Sequence, residues 1–161
     1  MGYFLIAAVV VLADQLSKWW IVHSFRLYEV REVIPGLVNL VYVTNPGAAF
    51  SLLAEADTPW RHTFFLVVGL VAIAGLTAGY FVLRRQHRWY GPACALIAGG
   101  AVGNLVDRIR LGAVVDFLDV YLMNWHWPAF NVADSAICVG AGLFIVVSIL
   151  ESRKTTRRNV V

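Results

Sequence analysis

Thr63-Phe64-Phe65-Leu66-Val67-Val68-Gly69-Leu70-Val71-Ala72-Ile73-Ala74-Gly75-Leu76-Thr77-Ala78-Gly79-Tyr80-Phe81-Val82-Leu83 is a run of 21 residues without a charge. About 20 apolar residues in helical form cross the hydrocarbon core of a bilayer. This stretch therefore decides the class: a membrane protein. The rest of the chain agrees. Of 161 residues, 60% are hydrophobic and 14% charged, against about 25% charged in an ordinary soluble domain. A surface so poor in charge cannot cover a water-soluble globule.

Three further apolar segments flank the first, at about residues 3–22, 90–105 and 132–150. Together with 63–83 they predict a membrane all-α fold of four transmembrane helices in a single domain, 1–161. The segment 3–22 reads as a span rather than a cleaved leader, because Asp14 and Lys18 interrupt it and no basic region precedes it. Basic residues at span ends set orientation. Arg84, Arg85 and Arg88 join spans two and three, and Arg153, Lys154, Arg157 and Arg158 follow span four. Both groups are expected on the cytoplasmic side, together with the N- and C-termini. The net charge of +3 thus reflects sidedness, and its short basic runs beside apolar segments are a poor fit to nucleic acid.

The connection between spans one and two is not a plain linker. Residues 30–44 are rich in β-branched side chains and are broken by Pro35-Gly36, which predicts a short hairpin or small sheet. The whole β region is expected over about 30–54, as a small extracytoplasmic sheet resting on lipid headgroups. Gly75 with Gly79, and Gly99 with Gly103, have the spacing of close helix packing. Cys94 and Cys138 lie in apolar runs without metal-binding spacing and read as packing residues.

Polar groups inside spans cost about 2.5–3.5 kcal/mol each on insertion scales, so they need partners or a purpose. Asp14 and Lys18 stand one helical turn apart and can pair. Lys18 can also snorkel toward the interface beside Trp19 and Trp20. Asn104, Asp107 and Arg108 end the third span, where Arg108 suits a helix C-terminus, a carboxylate or a peptide carbonyl. Asp116 lies in the apolar run Val114-Val115-Asp116-Phe117-Leu118, and Asp134 is three residues past a candidate cap at Asn131. Capping alone would account for Asp134. Yet both acids fall at one face of the membrane among apolar residues. Two carboxylates in that setting share a proton, and one can act as base while the other donates. That is aspartic peptidase chemistry.

Asp14-Gln15-Leu16-Ser17-Lys18, Asn45-Pro46-Gly47-Ala48-Ala49-Phe50, Gly99 to Arg108, Val115-Asp116-Phe117-Leu118-Asp119 and Phe130-Asn131-Val132-Ala133-Asp134 resemble, in order, the motifs of the bacterial lipoprotein signal peptidases (signal peptidase II). The resemblance implies an aspartic endopeptidase of the bacterial cytoplasmic (inner) membrane. It would remove signal peptides from diacylglyceryl-modified prolipoproteins just before the lipidated cysteine, on the extracytoplasmic side. It implies Asp116 and Asp134 as the catalytic pair. Asn45, Asn104, Arg108 and Asn131 match polar residues around the family's site, and Asp14, Lys18 and Asp107 match supporting ones. It implies no metal and no organic cofactor, and an outer sheet that cradles the site. The rival from another class is a small proton- or ion-coupled transporter with Asp14, Asp116 and Asp134 as relay groups. A metallopeptidase using the acids with His126 is a further alternative.

Overall fold

A computed structural model describes residues 2–47 and 60–158, with side chains through Arg153. Its elements are α1 (Gly2–Ser24), β1 (Val30–Ile34), β2 (Val38–Asn45), α2 (Trp60–Leu83), α3 (Tyr90–Leu111), β3 (Val114–Leu122), β4 (Trp125–His126) and α4 (Val132–Arg158). Of the expected β region, residues 48–54 lie outside the described residues, as do Ala48-Ala49-Phe50 of the second motif.

Three of the helices, α1, α2 and α4, are long and apolar enough to cross a membrane. Helix α3 has 22 residues but carries Asn104, Asp107, Arg108 and Arg110 in its last turns. It runs to Leu111, six residues beyond the expected end at 105, and closes on Gly112 in the left-handed region at φ 75°. The Gly112 N–H donates to the Arg108 carbonyl at 3.0 Å, and only glycine takes such a cap without steric cost. The polar end is not chain emerging into water. Asn104 and Asp107 are buried, because α3 is the central helix and packs against each of the other three.

Small residues permit that packing. A Cβ at Gly99 would stand 2.9 Å from the Ala7 carbonyl of α1, and one at Gly103 would stand 2.5 Å from Asp14 Oδ2. Among the described residues, the expected close approach at Gly75 and Gly79 is absent. Gly75 has nothing within 4 Å, and Gly79 meets only Leu83 of its own helix. Helix α2 reaches α3 elsewhere, through Gly69 against Leu105 and Tyr80 against Gly91.

The hairpin is present. Ile34-Pro35-Gly36-Leu37 closes with a Leu37 N–H to Ile34 carbonyl bond of 3.0 Å, and Gly36 takes φ 74°. That is a type II turn, with proline and glycine where such a turn needs them. The hairpin is part of a four-stranded sheet. Strand β3, from the connection after α3, pairs antiparallel with β2, and the four strands run in the order β1-β2-β3-β4. The sheet packs on the bundle through Ile21, Phe25, Val115 and Phe117, with Val132 beside them. Asp116 is thereby carried to the start of α4.

Candidate active site

Asp116 sits on β3 opposite Val43 and is 3% exposed. Asp134 is the third residue of α4. Both readings of Asp134 hold at once. Its backbone N–H donates to Asn131 Oδ1 at 2.9 Å, and its Oδ2 accepts the Asn131 N–H at 3.3 Å, a reciprocal cap. Its other oxygen, Oδ1, accepts Asn104 Nδ2 at 2.8 Å. Asn131, fully buried, donates Nδ2 to Asp116 Oδ1 at 2.7 Å and toward Asn104 Oδ1 at 3.3 Å. The two carboxylates are thus joined through the amides of Asn104 and Asn131. Asn45 also bonds to Asp116, while its Oδ1 accepts the Gly47 N–H at 3.0 Å.

Burial pushes the Asp116 carboxyl up, the Asp134 charge pushes it further, and the amides of Asn131 and Asn45 only partly offset both. It reaches about 7. Asp116 therefore holds a proton near neutrality while a second acid stands close by.

Behind the amides lies a buried ionic cluster. Lys18 Nζ meets Asp14 Oδ2 at 2.9 Å, Asp107 Oδ2 at 2.8 Å and Asn104 Oδ1 at 2.9 Å. The pairing of Asp14 with Lys18 is as expected from their spacing. The snorkelling of Lys18 is not, since Lys18 is 3% exposed and points inward while Trp19 and Trp20 face out. Three acceptors inside the protein outweigh the interface for the ammonium. This cluster also orients the site. Lys18 takes the oxygen of the Asn104 amide, which leaves the NH₂ for Asp134. Asp14 Oδ1 accepts the Ala133 N–H at the start of α4, and Asp107 Oδ2 accepts the Val115 N–H beside Asp116. Each supporting acid thus anchors the element that carries one member of the pair. Gln15, which sequence reasoning passed over, bonds Asp107 at 2.9 Å and Asp14 at 3.2 Å. Its signal was its place beside Asp14 within the first family motif, three residues before Lys18.

Two of the three readings of Arg108 hold: it lies in the last turn of α3, where Nη1 donates to the Asn104 carbonyl at 3.4 Å, and it also holds a peptide carbonyl outside the helix. Its Nη2 donates to the Gly47 carbonyl at 2.9 Å, and its guanidinium lies 5.1 Å from the Phe65 ring centre. It also faces the charges of both aspartates. The pair opens onto a groove of about 780 Å³. Val43 to Pro46 form one side, Trp127 to Phe130 the outer wall, and Ile137, Cys138 and Val139 of α4 the far end. Of the cysteines, Cys94 is buried packing as expected, whereas Cys138 is exposed and lines this groove. His126 does not approach the aspartate pair through its ring, which is engaged with Asp119 instead. Asp119 also accepts Asn39 Nδ2 at 2.9 Å.

Two solved structures share this architecture, each described as a bacterial membrane enzyme. One, at 2.3 Å resolution, matches with a TM-score of 0.80 and 30% identity over 94% of this chain and 89% of its own. The other, at 1.9 Å, gives 0.79 and 31% over 91% of both. Fold and buried polar centre thus place the chain among helical membrane enzymes. Its family follows from the sequence: the profile described as signal peptidase (SPase) II, Peptidase_A8, fits residues 6–150, and the chain belongs to that peptidase family. The lipoprotein signal peptidase of Geobacter metallireducens is 45% identical over 98% of this chain and 96% of its own length. That of Syntrophotalea carbinolica is 49% identical over 88% and 87%. Nothing in these relationships favours a transporter.

Proposed function

We propose that the chain is an intramembrane aspartic endopeptidase of the bacterial inner membrane that frees diacylglyceryl-modified prolipoproteins of their signal peptides. The cut falls just before the lipidated cysteine. One observation carries the reading: Asp134 takes the amide of Asn104 and Asp116 that of Asn131, the two amides bond each other, and both aspartates line one groove beside α4. Asp134, holding two N–H donors on its oxygens, serves as the base that takes a proton from water. Asp116, carrying the shared proton, donates to the oxygen of the attacked carbonyl. Arg108 holds the Gly47 carbonyl at the rim and adds positive potential near the developing charge. This route assigns no step to a metal or organic cofactor.

All four helices cross the bilayer in this reading, and 1–161 forms one domain. Helix α3 is tolerated because its polar turns face α1 and α4 rather than lipid. Both termini and residues 84–88 face the cytoplasm, and the sheet rests on the outer leaflet as a cradle. A lipid-anchored substrate then enters sideways, keeping its acyl chains in the membrane at a saving of about 0.8 kcal/mol per CH₂.

The test is incubation of purified protein with a lipid-modified precursor and its unmodified counterpart. Cleavage before the modified cysteine alone is expected. Equal cleavage of both, or of neither, removes the substrate assignment. In a background without Cys94 and Cys138, impermeant labelling of single cysteines should reach position 33, exposed on β1, but not 86 from outside, and the reverse would invert the topology.

A further inference from the structure

Where α1 ends, the chain turns into the sheet around a hollow that the peptidase chemistry does not use. It encloses about 670 Å³ and is lined by His23 to Glu29 and by Arg31. Its corner is Tyr28, at φ 67° in the left-handed region, which a tyrosine adopts only under constraint. The constraint is visible in the backbone. The Tyr28 N–H donates to the Tyr42 carbonyl at 2.7 Å, and the Glu29 carbonyl accepts the Tyr42 N–H at 3.1 Å. The turn leaves the Tyr28 side chain outside the core, 72% exposed.

Two cations and one acid line this hollow, and they are not equally engaged. The Arg31 guanidinium lies over the Phe25 ring, 4.1 Å from its centre. It gives Nε to Glu29 Oε1 and Nη2 to the Ser24 carbonyl, both at 2.7 Å. Arg31 thereby covers the negative end of α1, which would otherwise repel an anion. The second Glu29 oxygen accepts the Arg26 backbone N–H at 2.7 Å. The Arg26 guanidinium, in contrast, only shares the field of Glu29 and bonds nothing among the described residues. The same is true of Arg31 Nη1. One positive charge is left in excess, with guanidinium N–H groups free to donate.

The place of this charge selects its ligand. Below the hollow, α1 exposes Leu12, Leu16 and Trp19. With His23 they recur at steps of four, three and four residues, so they form one stripe along the helix. The stripe reaches the hollow, because His23 Nδ1 donates to the Trp19 carbonyl at 2.7 Å and the two rings are 4.5 Å apart. Exposed tryptophans at the end of a span, here Trp19 and Trp20, mark the headgroup level. A ligand with an anionic head and an acyl tail fills both parts, whereas a soluble anion uses only the first. A headgroup amine would have to compete with Arg31 and the Arg26 N–H for Glu29. We propose that the hollow binds the phosphodiester of an amine-free phospholipid, of the phosphatidylglycerol type. Arg26 and Arg31 Nη1 donate to the phosphate, and an acyl chain lies along Leu16 and Leu12. This rests on α1 crossing the membrane and not on the aspartates.

The test is native mass spectrometry of the purified, delipidated full chain with dioleoyl phosphatidylglycerol, phosphatidylcholine or phosphatidylethanolamine added. Two arginines at a lipid surface should favour the phosphatidylglycerol about tenfold over each of the others. Arg26→Gln is expected to lose most of that preference and Arg26→Lys to keep most of it. Arg110→Gln removes an exposed charge at the same membrane face but outside the hollow, and should leave the preference unchanged. Because the Arg26 guanidinium bonds nothing, Tm without lipid should be the same for Arg26→Gln as for wild type. Equal affinity for the three lipids would overturn the proposal. Equal losses in Arg26→Gln and Arg110→Gln would do so too, by reducing it to a diffuse field. Binding of soluble glycerophosphoglycerol as tight as that of the lipid would make the site one for a free phosphate ester. A fall in Tm of lipid-free Arg26→Gln would make Arg26 a structural residue and remove the assignment.

Discussion

Helices α2 and α3 are close in length, 24 and 22 residues, and pack side by side, yet they bury opposite amounts of themselves. Among the described residues, α2 buries only Tyr80, whereas α3 buries twelve, from Tyr90 to Asp107. The more apolar helix is the one turned outward. In water the apolar face seeks the core. In a bilayer lipid serves apolar side chains as well as protein does, and interior positions go to small and polar residues that gain from close approach or hydrogen bonding. The site follows from that rule. Its polar residues stand on α1, α3, α4 and the sheet, and α2 brings the Phe65 face to Arg108.

The largest test of this contrast is chemical. Asp116→Asn and Asp134→Asn, nearly isosteric, should each lower turnover by more than about 10³, since one acid–base group alone supplies about 10²–10⁴. The double variant should be little worse than either, because groups that act as a unit are not additive. Turnover by a folded single variant at a tenth of the wild-type rate would remove the aspartic mechanism.

Next in size is Lys18→Met. It leaves Asp14 and Asp107, almost wholly buried, without their counterion, and breaking a buried pair costs about 3–5 kcal/mol. Thermal unfolding in detergent should show this loss. A smaller drop would mean that the acids take up protons, which a steeper dependence of Tm on pH would reveal.

The pH dependence of Asp116 gives the third. Its carboxyl is raised to about 7 by burial and then by Asp134, from about 3.9 in an unfolded chain. The folded state thus binds more protons between those values, so the contribution is full below about pH 4 and is lost as pH rises through 7. Asp116→Asn lacks this loss. Its stability relative to wild type should climb from pH 5 to pH 7 and level off above. A gap that stays constant would contradict the raised value. Activity should fall above pH 7 for the same reason, as the donor proton leaves.

Much of this was legible in the chain, and what escaped had a common cause. Four helices follow from apolar length, the Pro35-Gly36 turn from local chemistry, and the Asn131–Asp134 cap from its spacing. Helix α3 continues past its apolar stretch, because hydropathy cannot tell a polar residue leaving the membrane from one facing another helix. Strand β3 went unread because Asp116 and Asp119 interrupt its pattern, and its partner β2 lies some 70 residues earlier. Lys18 offered only Asp14 locally; Asp107, 89 residues away, required the fold. Family resemblance placed these residues together where periodicity did not.

The smallest effect separates the two helices most directly. Gly103→Ala on α3 puts a methyl 2.5 Å from Asp14 Oδ2, and overpacking of that kind costs about 1–3 kcal/mol. Because Asp14 also holds Lys18 and the Ala133 N–H, activity should fall with stability. Gly75→Ala on α2 meets nothing within 4 Å among the described residues. There the change removes only the helix penalty of glycine, about 0.8–1.0 kcal/mol relative to alanine in water. Unfolding of the two variants in the same lipid mixture should therefore move in opposite directions, with cleavage unchanged for Gly75→Ala. Destabilisation by that alanine would mean that the outward face of α2 is covered, by a second copy of the chain or another protein. The contrast between the helices would then belong to the isolated chain rather than to the membrane.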